Sequence, residues 1–178
     1  MALGVAVVGV LGTLLSALLT QRASDRSRRY ELEQAERQRL EDLAAQRHET
    51  VKEQRRAAYV MLNKAARQYQ TALTDHLHVL LRGEDRQDAR AQLDEARSVH
   101  RDCYAEAQLI VPDPVLDLAG RVNKSLNATY GMIKRLDNGT PRPGDSLDAV
   151  QASADASWDL LRQVRHRMRS DLGVVDAE

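Results

Sequence analysis

The side chains of this sequence best placed to do chemistry are His100 and Cys103, three apart on what reads as one apolar helical stripe. Imidazole and thiolate at that spacing can begin a metal site, and an imidazolium beside a thiol can lower its pKa toward a nucleophile. A structural zinc wants four ligands, however. In an antiparallel helix pair His100 falls opposite residues 66–69, where Ala66 and Tyr69 offer no carboxylate or thiolate. The expectation is a histidine satisfied by Tyr69 or a backbone carbonyl, beside a small buried cysteine. His76 and His78 fall on different sides of a helix and chelate poorly. The Glu-x-x-His spacing that holds a di-metal centre in a four-helix bundle does not occur. No phosphate loop, dinucleotide fingerprint or nucleophile triad is present, and the one glycine-dense stretch, Gly4 to Gly12, lies in an apolar run. The chain reads as a non-enzyme, with no catalytic, cofactor or metal residues.

The remaining concentrated chemistry is cationic. Arg162, Arg165, His166, Arg167 and Arg169 end the last predicted helix, where positive charge complements the helix dipole. Antiparallel packing gathers Arg162, Arg165, Arg167 and Arg169 near Arg55 and Arg56, a basic collar that could face anionic lipid. The 26 basic residues are balanced by 26 acidic ones, and aromatic residues are 3% of the chain. That removes the global electrostatic case for nucleic acid and leaves few platforms for stacking bases. A single cysteine forms no internal disulfide.

Residues 2–21 contain no charge and read as a transmembrane anchor over 1–21. About 20 residues at about 1.5 Å each cover the hydrocarbon thickness of a bilayer. A cleaved signal peptide is the rival; it would carry Lys or Arg before the apolar run and a small-x-small site after it, and neither is there. Arg22, Arg26, Arg28 and Arg29 flank the run on one side only. The positive-inside rule then sets the N-terminus outside and the rest in the cytoplasm, at the plasma membrane with a single span. Gly9/Thr13, Gly12/Ser16 and Ser16/Thr20 sit at the four-residue spacing that lets two spans approach, so self-association through the anchor is one option.

Residues 22–56 hold no proline or glycine and read as a charged helical stalk with pairs such as Glu33/Arg37, Glu36/Arg39 and Glu49/Lys52. Leu32, Leu40, Leu43 and Val51 are too sparse for a strict heptad seam, which leaves either a solvated stalk or a weak coiled coil that joins two copies. Over 57–173 four apolar stripes at helical spacing follow one another, with a C-terminal tail over 174–178. The first runs through Leu62, Tyr69 and Leu73 to Gly83, and the second from about Asp85 through His100 and Cys103 to Val111. Pro112-Asp113-Pro114 stops one helix and starts another, with Asp113 able to cap and Pro114 suited to the first turn. The third stripe ends at Leu136, residues 137–145 are a loop by composition, and the fourth runs from Leu147 through Trp158 to Leu172. No period-2 alternation is sustained, so the expectation is all-α: anchor, stalk and antiparallel four-helix bundle. Trp158 is expected buried, its indole N–H on Asn123 or Thr129.

The anchor, the charged stalk, Arg56-Ala-Ala-Tyr59-Val-Met-Leu62, and Cys103-Tyr-Ala-Glu-Ala-Gln-Leu-Ile-Val-Pro-Asp-Pro-Val115 carry a resemblance. The chain resembles the uncharacterised single-span, membrane-anchored helical-bundle proteins of high-GC Gram-positive bacteria. That resemblance implies a bacterial plasma-membrane location with a cytoplasmic bundle, and no particular activity or ligand. The functional expectation is a membrane-tethered scaffold or adaptor with an unknown protein partner. A membrane-anchored small-molecule or signal sensor and a phage-type pore former are the alternatives.

Overall fold

A computed structural model describes residues 2–174, with side chains described for Tyr30 and for 32–174. Four helices make up the fold: α1 (Ala2–Arg82), α2 (Gln87–Ile110), α3 (Asp113–Asp137) and α4 (Leu147–Asp171). No strand occurs among the described residues. Two compact units divide the chain, Met1–Thr50 and Val51–Glu178.

In the first unit every described side chain is exposed, Leu32, Leu40 and Leu43 included. Gln34 Nε2 donates to Tyr30 Oη at 2.9 Å. Glu33/Arg37 and Glu36/Arg39 do not close into ion pairs, since the pairs formed among the described residues all lie beyond residue 54. Among the described residues no helix is long and apolar enough to cross a membrane. The anchor expected over 1–21 and its flank of Arg22, Arg26, Arg28 and Arg29 lie outside the described side chains.

The second unit is a helical bundle whose register is fixed by polar contacts. Gln70 Nε2 on α1 donates to Ala154 O on α4 at 2.8 Å, and eleven residues earlier on α1 Tyr59 meets Asp171, later on α4. On α2 and α3, Arg90 meets Asp137 while Arg97 reaches back to Asn127. On α3 and α4, Ser125 pairs with Ser157 at 2.8 Å and Thr129 with Ser153 at 2.7 Å. In each pair one helix is read upward as the other is read downward, so neighbours are antiparallel. Tyr69, Leu73 and Leu77 of α1, Leu93 of α2, Leu126 and Ile133 of α3 and Val150 of α4 are fully buried. Each of the aliphatic side chains contributes roughly 1.5–3 kcal/mol by leaving water.

The helix ends follow their punctuation. Gly83 (φ +67°) and Gly173 (φ +68°) take the left-handed turn that ends α1 and α4, a conformation costly for residues with a Cβ. Val111 is extended before Pro112, as the proline ring requires. Ser146 caps α4 by accepting from Ala149 N at 3.0 Å.

Three expectations are corrected. Asp113 is not a cap; Pro112 holds that position and Asp113 lies inside the first turn, where its charge complements the dipole. Asp137 is not loop but the last residue of α3, and it is buried. Trp158 is half-buried rather than central: Ser157 occupies the interior position instead. The cause is the hydroxyl ladder between α3 and α4, which draws the small Ser157 inward and turns Trp158 to the rim. Neither Asn123, which accepts from Asn127, nor Thr129, which pairs with Ser153, forms a hydrogen bond with the indole N–H.

Candidate functional site

Three polar groupings are built into the bundle. At mid-height, His100 of α2 lies beside Tyr69 of α1 with ring centroids 5.5 Å apart. Both residues are buried, yet Tyr69 Oη and His100 Nδ1 make no well-formed hydrogen bond among the described residues; the Arg97 guanidinium lies near Tyr69 and lowers its pKa against a larger rise from burial. The expected neighbour is therefore present and the expected hydrogen bond is not. Burial pushes the His100 pKa down to about 4, so the ring is neutral at pH 7. It cannot act as the cation that would activate Cys103. Burial, and then the charges of Glu106 and Asp102, raise the Cys103 thiol above its ordinary value. A void of about 10 Å³ borders His100, Leu62, Ala66, Val122 and Met168. That is no more than a water molecule needs. Among the described residues no three His, Cys, Asp or Glu side chains converge to hold a metal ion.

At the end of the bundle formed by the α1–α2 turn and the end of α3, Asp137 is clasped by three elements. Arg90 Nε and Nη2 donate to its two carboxylate oxygens at 2.5 and 2.9 Å, and Arg86 Nη1 adds a 3.3 Å contact. His76 Nε2, fully buried on α1, lies 3.4 Å from Oδ2. Hydrogen bonding from Arg90 holds the Asp137 carboxyl below its usual range. The sequence signal for this cluster was a charged residue closing an apolar stripe next to an Asn-Gly turn, which composition alone assigns to the loop. Beyond it, Arg135 grips Asp145 through two hydrogen bonds of 2.6 and 2.8 Å, and Arg142 N donates to the same carboxylate. These hold Asp145 down at about 2.

At the opposite end the basic residues divide. Arg55 Nη1 pairs with Asp171 at 3.3 Å, and Tyr59 Oη donates to the same oxygen at 2.7 Å. Arg167 is close enough to lower the Tyr59 pKa, against a larger rise from burial and from Asp171. Arg162 is paired to Asp159 one turn away. Arg56, Arg165 and Arg169 are exposed and carry no ion pair among the described residues. Thus Arg55 pairs with Asp171 and Arg167 lies near Tyr59, while Arg56, Arg165 and Arg169 stay exposed along α1 and α4. Arg67 of α1 lies over the Trp158 ring, its guanidinium carbon 5.5 Å from the centroid.

No protein-family model, curated protein or solved structure matches this chain.

Proposed function

We propose that this chain is a membrane-tethered, non-enzymatic helical interaction module, a scaffold or adaptor. Residues 1–21 would be its single span, with the N-terminus outside and the bundle cytoplasmic, like the bacterial proteins it resembles. The observation that carries the reading is a bundle whose described core is a continuous apolar cluster and whose one thiol is buried with a raised pKa. A buried, protonated cysteine beside a neutral histidine makes a poor nucleophile. An apolar, uncharged run before the bundle supports the tether.

The unpaired Tyr69 Oη and His100 Nδ1 favour a second reading, a sensor whose ligand pairs with them. Against it, ligand pockets typically need about 300–1,000 Å³, and the void at His100 is about 10 Å³. Alkaline extraction of membranes tests the tether: the full chain stays in the pellet if it spans. A pull-down from detergent extracts tests the module. Recovery of neither a partner nor a second copy overturns the scaffold reading, and ligand-induced thermal stabilisation in a metabolite screen replaces it with the sensor.

A further inference from the structure

We propose that the seam between α1 and α4 docks an acidic segment of a partner protein. This deepens the interaction-module reading, on which it rests, and does not depend on the tether.

Two rows of side chains with identical spacing line the seam. On α1 they are Arg56, Val60, Asn63 and Arg67, and on α4 Trp158, Arg162, Arg165 and Arg169. Steps of four, three and four residues keep each row on one helix face. The Arg67–Trp158 contact sets the rows antiparallel, Arg67 against Trp158 and Arg56 toward Arg169. The Arg55–Asp171 pair at the same end fits that register.

The rows hold five guanidinium groups, and only Arg162 has a carboxylate partner among the described residues. Like charges facing one another oppose folding rather than assist it. Helix-dipole complementarity accounts for Arg165 and Arg169 near the end of α4, but not for Arg56 and Arg67 on α1. A net charge of zero for the whole chain makes the row a local excess. Beside it an open groove of about 650 Å³ leads from Asn63, Lys64, Arg67 and Gln68 round α1 toward Gln92 of α2; it adds amide groups at the near end, next to the seam, and one carboxylate, Asp75, at the far end.

The shape selects the occupant. The rows run about 16 Å along the bundle, a length that an acidic helix or extended segment can follow with successive carboxylates. Arginine forks bind carboxylates two bonds at a time. A lipid surface would be met by apolar groups free to insert. Here Trp158 is half-buried against Arg67, and Val60 is the one large apolar side chain exposed in the rows.

Poly-L-glutamate is the probe, titrated into the full chain in detergent micelles, with Trp158 fluorescence as the local readout. The triple variant Arg56→Glu, Arg165→Glu, Arg169→Glu should bind at least about tenfold more weakly and lose the fluorescence change. Arg101→Glu, Arg121→Glu, Lys124→Glu carries the same change of charge on other helices and should bind nearly as the parent does. The triple Arg56→Gln, Arg165→Gln, Arg169→Gln guards against misfolding: it should melt no lower than the parent and still bind poorly. Equal weakening of the seam and control triples overturns the proposal. So does seam-dependent binding to phosphatidylglycerol vesicles with no binding of polyglutamate, which would make the surface a lipid contact. Loss of membrane retention on alkaline extraction, with polyglutamate binding intact, removes the tether alone.

Discussion

His100 has a folded-state pKa of about 4 against an ordinary 6.5, because burial penalises its charged form. Between those values the unfolded chain binds the proton and the folded chain does not. Stability contributed by the neutral ring is therefore complete above about pH 6.5 and falls as pH drops toward 4, by up to roughly 3 kcal/mol. Urea denaturation of the parent and of His100→Phe across that range checks this: the variant should lose most of the slope. Trp158 is the reverse case, a large side chain left at the rim. Trp158→Ala should cost about 1–2 kcal/mol, well short of the 3–5 of a buried aromatic. Parent emission should be intermediate, neither fully blue-shifted nor that of a solvated indole. Asp137 is the residue with most to lose, since Asp137→Asn removes the carboxylate that Arg86 and Arg90 share beside the buried His76. A loss of about 2–3 kcal/mol in chemical denaturation is expected, moderated because both guanidinium groups reach solvent.

Among the elements, the α3–α4 pair is defined by small polar side chains rather than by large apolar ones. Ser153 and Ser157 of α4 bond across to Thr129 and Ser125, so the helix surfaces meet through hydroxyls. Ser157→Val should therefore destabilise by about 1–3 kcal/mol, through overpacking and a severed hydroxyl pair, with a matching fall in thermal midpoint. The same ladder shows what was legible beforehand. Helix number, order and most boundaries follow from apolar period, glycine and proline, because those signals are local to each element. The phase of α4 is not local. Tryptophan is the more apolar candidate for the interior, but the partner surface on α3 decides which of two adjacent residues turns inward. Asp137 escaped for a related reason: a carboxylate becomes a buried residue only when His76 of α1, Arg86 of the α1–α2 turn and Arg90 of α2 arrive around it. The cationic residues of the collar were legible by type and position. Their division was legible only in part: Asp159 is a local i,i+3 partner of Arg162, whereas Asp171 neutralises Arg55 only in the folded register.

At the scale of the whole molecule, the second unit contains every buried side chain described here and should fold without the first. A fragment of residues 51–178 is expected to keep cooperative thermal unfolding and helical circular dichroism. A fragment that melts without cooperativity would mean that the preceding residues are part of its stability. Within that unit the clasp of Arg135 on Asp145 has a practical corollary. It closes the base of the α3–α4 connection, and Thr140, Pro141 and Pro143 between the two residues are exposed. Lengthening a loop whose ends are already joined costs little chain entropy. A tag or fluorescent reporter inserted between Thr140 and Pro141 would hang from a clamped stem, away from the arginine rows at the opposite end. The fold thus offers a handle for watching the molecule without touching the surface where it is expected to work.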